Sequence, residues 1–165
     1  MSSMGSGLRI GHGVDAHRLV PGRPLMLGGV EVAFDEGLEG HSDGDVLAHA
    51  LGDAMLGAAG LGDLGRHFPS GDERWHGVAG TTILQHIAEL ARRAGWVVES
   101  AQVVAICQLP HLAPHVEAMR AALAAALGVD RAQVAVSATS TDGMGFTGRG
   151  EGIAASAVVL LAPIS

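Results

Sequence analysis

The sequence predicts an α+β domain, a small mixed β-sheet with helices on one face, and three observations carry that prediction. Apolar runs near both ends of the chain read as strands, Ala- and Leu-rich stretches of helical period separate them, and the last two elements are both strands. At 165 residues the chain has the size of one domain and can bury a substantial core. Residues 8–165 are therefore expected to fold as a single domain behind a disordered Ser/Gly leader at 1–7, which lacks the apolar stretch of a signal peptide.

The elements follow in order. Residues 8–17 read as a strand, 24–33 as a short hairpin around Gly28-Gly29, and 34–40 as a loop. A helix is expected from Gly44 to near Gly60, capped by Ser42 or Asp43, with Asp45 adding negative charge in its first turn. Residues 61–72 mix Gly, Pro and Asp and should form an exposed loop; as a plain connector it needs no function. Residues 81–94 form a second helix closed by Gly95, and 96–108 a largely buried strand. Two prolines interrupt 108–114, a third helix spans 115–127 up to Gly128, and strands follow at 134–139 and 153–161. The stretch 140–152 between them is rich in Gly and hydroxyls. It suits a phosphate cradle, and equally a Gly-rich hairpin with no ligand.

Composition narrows the function. No apolar run reaches the roughly 18 residues of a membrane helix, so a cytoplasmic protein is expected, with no membrane partner. The single Cys107 excludes an intramolecular disulfide and a Cys-rich zinc site, leaving His and carboxylates as metal ligands. The formal charge is −7 and all ten basic residues are Arg, with no basic stripe; no Tyr, three Phe and two Trp offer no stacking platform, so no nucleic-acid partner is expected. An anionic small molecule fits this composition if metals, backbone N–H groups and a few Arg supply positive field locally.

The chemistry concentrates in two places. Asp45, His49 and Asp53 fall at i, i+4 and i+8 of the first helix, an acid–imidazole–acid stripe on an otherwise apolar element. A solvated helix face would account for a lone histidine there. In the first strand, however, Asp15 and His17 at i and i+2 project from one side. Asp15, His17 and His49 would give one carboxylate and two imidazoles with a fourth position open, as in a catalytic zinc site.

Four segments in order resemble the signatures of the 2-C-methyl-D-erythritol 2,4-cyclodiphosphate synthase family: Gly11-His12-Gly13-Val14-Asp15-Ala16-His17; His41-Ser42-Asp43-Gly44-Asp45; Leu61-Gly62-Asp63-Leu64-Gly65 with Phe68-Pro69; and Gly145-Phe146-Thr147-Gly148-Arg149-Gly150-Glu151-Gly152. The resemblance runs from about residue 8 to 162. It implies a homotrimer in the non-mevalonate isoprenoid pathway that cyclises 4-diphosphocytidyl-2-C-methyl-D-erythritol 2-phosphate to 2-C-methyl-D-erythritol 2,4-cyclodiphosphate and releases CMP.

Residue by residue, the resemblance makes Asp15, His17 and His49 ligands of Zn2+, with Asp15 and His17 also at the substrate. His41 and Ser42 would hold phosphate oxygens, His41 would stabilise the developing charge, and His41 and Ser140 are the expected catalytic residues. Asp63, Leu64 and Gly65, with Phe68, Pro69, Ser70, Gly71 and Asp72, match the loop over the methylerythritol part. Cys107, Gln108, Leu109, Pro110, His111, Leu112 and Ala113 match the cytosine segment. Thr139, Ser140, Thr141 and Asp142 match the diphosphate segment, Asp142 with Mg2+ or Mn2+; Phe146 and Arg149 match positions at the site and trimer centre. Asp53, by helical spacing, would orient a ligand imidazole. The chain departs from the family pattern at Ser140 (usually Thr), Asp142 (usually Glu) and His111 (commonly Lys), so with no Lys its phosphate neutralisation leans on metal ions.

A phosphate attacking an anionic diphosphate needs charge neutralisation and orientation more than a strong base. Two other readings use the same residues: a metal-dependent phosphohydrolase with a metal-bound hydroxide, and a non-catalytic metal- or isoprenoid-binding trimer.

Overall fold

The computed structural model describes residues 7–165, so the leader expected at 1–7 lies, but for Gly7, outside the described residues. In chain order the elements are β1 (Arg9–Pro21), β2 (Leu25–Leu27), β3 (Val30–Val32), β4 (Glu36–Leu38), α1 (Val46–Ala59), α2 (Leu64–His67), a 3-10 turn (Glu73–Trp75), α3 (Gly80–Arg93), β5 (Trp96–Ile106), α4 (Val116–Leu127), β6 (Val134–Thr139), α5 (Gly145–Gly148) and β7 (Gly152–Pro163). Five strands form a mixed sheet in the order β4-β1-β7-β5-β6, with only β5 and β6 parallel; β2 and β3 make a separate hairpin. Because β7 runs antiparallel to both β1 and β5, the C-terminal ends of β1, β5 and β6 emerge at the same end of the sheet.

The helical layer sits close on one sheet face because β1 gives it room. A Cβ on Gly11 would stand 1.9 Å from the Ala54 carbonyl oxygen, and one on Gly13 2.1 Å from that of Ala50. Only glycine lets the α1 backbone approach β1 so nearly. Between the layers, α1 buries Leu47, Leu51, Met55 and Leu56 completely, each stabilising by about 1.5–3 kcal/mol. Among the described residues no helix covers the opposite face of β1: Ile10 is 74% and Val14 59% exposed, and Val158, paired with His12 across to β7, is 39% exposed.

Several boundaries differ from the sequence reading, each for a tertiary reason. The first strand runs on to Pro21 because its far end pairs with β4, a three-residue strand inside the expected 34–40 loop. The first helix starts at Val46, not Gly44, because Asp45 is its N-cap: its side chain accepts from the Ala48 amide while its backbone stays extended. The 61–72 loop contains α2, and the Gly-rich 140–152 stretch contains α5.

Candidate active site

Asp15 and His17, on alternate positions of β1, point toward the helical layer and meet His49 of α1. Asp15 Oδ2 lies 2.9 Å from His17 Nε2 and 3.2 Å from His49 Nδ1, and the two nitrogens are 3.4 Å apart. A tetrahedral zinc with bonds of about 2.0–2.1 Å keeps its ligands roughly 3.3–3.4 Å from one another, so this triangle fits such an ion. The orientation fits as well. His49 Nε2 has the Ser42 hydroxyl at 3.0 Å, so that with a metal in the triangle the hydroxyl can hold the Nε2 proton while Nδ1 ligates. Burial works against the Asp15 carboxylate, but hydrogen bonds from both imidazoles outweigh it and lower its pKa to about 2. The bond to Asp15 raises the pKa of His17 against its own desolvation.

The segment 40–45 that presents His41 and Ser42 is fixed from three sides. Arg23 donates to the carbonyls of Gly40 (3.0 Å) and Ser42 (2.8 Å), bracketing His41. Asp43, expected to cap the first helix, instead accepts from the Gly80 amide at the start of α3. Asp45 does not belong to a solvated stripe: it is fully buried and accepts from Gly28 N (2.9 Å), Gly29 N (2.7 Å) and Ala48 N (3.2 Å). Gly28 and Gly29 both have positive φ, as a two-residue hairpin turn between β2 and β3 requires, and this frees their amides to face the carboxylate. Burial and the Asp43 carboxylate raise the Asp45 pKa, opposed by those three amides. Asp53 accepts from the Leu64 amide and so steadies the loop rather than an imidazole ring. The hydroxyl that orients His49 belongs to Ser42. Arg23 was invisible in the sequence, where a lone Arg beside a hairpin carries no signal.

His41, Ser42 and the triad line a cavity of about 250 Å³ together with Ser70 and the apolar Leu64, Phe68, Trp75 and Ile83. His41 Nε2 reaches the Asp72 carbonyl at 3.0 Å, and its ring meets that of His76 edge-on at 5.0 Å. Phe68 packs against Trp75 at 4.7 Å, and Trp75 against His86 at 5.1 Å. Trp75 and Ile83 lie beyond the expected loop residues. Of those, Asp63 caps α2 through Arg66 N, Asp72 binds Arg74, and Gly65, Pro69 and Gly71 are exposed.

A second cavity, about 260 Å³, opens at the ends of β5 and β6. Cys107, Gln108, Pro110, His111, Leu112 and Ala113 line it together with Ala138, Thr139 and Ser140. Gln108 Oε1 accepts from Gly143 N and ties the two segments together. The Cys107 thiol, pushed up to about 11 by burial, stays protonated. Asp142, in a left-handed conformation (φ 52°), lies 3.4 Å from the Ser140 hydroxyl. Thr141 turns inward to Thr147 and the Met144 carbonyl, and Leu109 is exposed. Phe146 lies in a shallow depression with Arg18 and Glu151, and Arg149 pairs with Glu151. The two main cavities share no residue. From Asp15 through Ala155 and Ala105 to Ala138 is three strand spacings, roughly 14 Å.

Comparison with known proteins agrees with this arrangement. The YgbB family model matches residues 8–162. A 2-C-methyl-D-erythritol 2,4-cyclodiphosphate synthase of Moorella thermoacetica is 54% identical over 154 residues, 93% of this chain and 94% of that protein, and one of Geobacillus kaustophilus is 54% identical over 153 residues, 93% and 97%. Among solved structures, the bifunctional IspDF of Campylobacter jejuni superposes with a TM-score of 0.92 at 37% identity, covering 96% of this chain, which spans only 43% of that one. A CDP complex of IspF from Plasmodium falciparum gives 0.85 at 26% identity, with 98% and 100% covered.

Proposed function

This chain belongs to the YgbB family, and we propose from that membership and the site just described that it closes 4-diphosphocytidyl-2-C-methyl-D-erythritol 2-phosphate into 2-C-methyl-D-erythritol 2,4-cyclodiphosphate with release of CMP. The observation that carries the reading is the Asp15–His17–His49 triangle opening into the same cavity as His41, at the sheet end where the second cavity also opens. The names of the relatives favour ring closure over the phosphohydrolase and the non-catalytic binder.

In this reaction an oxygen of the 2-phosphate bonds to the β-phosphorus, the bond to the oxygen bridging the α-phosphorus breaks, and CMP leaves with the electron pair. The first cavity suits the branched polyol and its phosphate, with polar groups and the apolar Leu64, Phe68 and Ile83 lining it together, the latter to exclude water from the reacting phosphorus. His41, on the segment that Arg23 holds at Gly40 and Ser42, lines the first cavity, where it would contact phosphate oxygens, and Thr139 and Ser140 line the second. A divalent ion, which we take to be Zn2+ at Asp15, His17 and His49, would neutralise and orient phosphate. We place Mg2+ or Mn2+ beside Asp142.

We further propose that the chain works as a homotrimer whose sites join the first cavity of one subunit to the second of its neighbour. An exposed apolar sheet face and two cavities that share no residue support this. We place the protein in the cytoplasm; among the described residues no helix is long and apolar enough to cross a membrane. The deciding experiment is phosphorus NMR of purified protein with the cytidylylated substrate: cyclic diphosphate plus CMP is expected, and free linear phosphates would make it a hydrolase.

A further inference from the structure

Arg23 belongs to no motif, yet it is held at its backbone and at its guanidinium. Its main chain lies just past β1, where Gly37 of β4 packs so closely that a Cβ there would collide with the Arg23 and Pro24 carbonyl oxygens. Its side chain spans to another segment. One terminal nitrogen donates to the Gly40 carbonyl at 3.0 Å and the other to that of Ser42 at 2.8 Å, so the two bonds flank His41. The segment has little stiffness of its own, because Gly40 and Gly44 bracket it and Gly44 is left-handed (φ 78°). Six arginines pair with a carboxylate, whereas among the described residues Arg23 has no such partner. What Arg23 uses is its planar fork, aimed at two backbone oxygens.

We propose that Arg23 is a positioning residue for the ring closure: its fork holds the backbone on either side of His41 and so sets where the His41 imidazole stands in the triad cavity. The inference rests on the function proposed above and gives Arg23 no contact with substrate. Ser42 extends the same hold toward the triad, since its carbonyl accepts from Arg23 while its hydroxyl lies 3.0 Å from His49 Nε2. Lysine cannot replace this fork, because an ammonium on a flexible stem lacks the rigid pair of donors.

Arg23→Lys keeps the charge and loses the fork. With zinc saturating, kcat for cyclic diphosphate formation should fall roughly 10- to 100-fold while KM changes less than about 3-fold, since a displaced His41 costs alignment in the transition state. In Arg23→Ala, added ethylguanidinium should restore part of the lost kcat at this half-buried position, and ethylammonium of the same charge should not. Amide hydrogen exchange reads the tether without turnover: residues 40–43 should exchange faster in Arg23→Lys, with β1 and β7 unchanged. Wild-type kcat in Arg23→Lys, no preference for ethylguanidinium over ethylammonium, or unchanged exchange at 40–43 overturns the proposal. Variants that do not fold where the wild type does would make Arg23 a folding clamp alone and overturn it as well. A wild type that forms no cyclic product sinks the function itself, and the exchange measurement then still decides the tether.

Discussion

The Ser42 hydroxyl stands 3.0 Å from His49 Nε2, on the far side of the imidazole from Asp15, and both residues are more than nine-tenths buried. Once a metal takes the Nδ1 lone pair in place of the hydrogen bond to Asp15, the hydroxyl can accept the Nε2 proton and hold the ring in its ligating orientation. Ser42→Ala should therefore leave a folded protein with about 10- to 100-fold weaker zinc binding. Chelator competition measures this, and wild-type affinity in the variant would make Ser42 a phosphate contact alone.

The paired Asp15 and His17 give the metal-free site a definite pH window. Asp15, lowered to about 2, contributes stability that is present above its ordinary value of 3.8 and lost as pH falls through the lowered one. His17, raised, contributes stability that is complete below its ordinary 6.5 and lost as pH rises through the raised value. The pair thus favours the metal-free fold most between 3.8 and 6.5. A zinc ion must displace the His17 proton, so apparent zinc affinity should drop about tenfold per pH unit below that raised value. A pH-independent affinity across this range would show that His17 binds no metal.

Close approach of α1 to β1 is what brings His49 to the strand, and Gly13 is its hinge point. An alanine Cβ there would meet the Ala50 carbonyl at 2.1 Å and the Ala54 amide at 2.7 Å, both backbone atoms that can yield only if the helix shifts. Gly13→Ala should cost about 1–3 kcal/mol or more and weaken zinc binding, while Gly57→Ala, with open space around its Cβ in the same helix, should stabilise by roughly 0.5–1 kcal/mol. Denaturant melts and zinc titrations of both variants check it; intact zinc binding in Gly13→Ala would disconnect helix position from the site.

Asp45 couples the hairpin to the helix. Asp45→Ala removes the N-cap and leaves the Gly28 and Gly29 amides facing a void, a loss of about 2–5 kcal/mol by denaturant unfolding. A loss below 1 kcal/mol would mean that water replaces the carboxylate at little cost.

These cases mark what was legible in the sequence. Asp15 and His17 share a strand face by period, and His49 follows from the helix, so the triangle needed only that the two elements touch. The role of Asp45 was misread because helical spacing knows nothing of the Gly28-Gly29 turn folded over it. The short β4 has no pattern of its own: Gly37 and Leu38 are strand residues because Val20 and Leu19 pair with them. Trp75 sat in an aperiodic stretch, where nothing announces that Phe68 and His86 will enclose it.

The bare face of β1 and β7 and the two separated cavities make the assembly testable by mixing. His49→Ala removes the metal half of a site, and Asp142→Ala is expected to cripple the nucleotide half. In a cyclic trimer with shared sites, each site takes its metal half from one subunit and its nucleotide half from the next. Random assembly of equal amounts gives a one-in-two chance of an intact half on each side, so about one quarter of the sites should regain activity. Were both halves supplied by one chain, every site would carry one lesion and none would recover. Mixed trimers, verified by differential tagging, that remain as inactive as the separate variants would exclude a shared site and leave the exposed Ile10–Val14 face without this role.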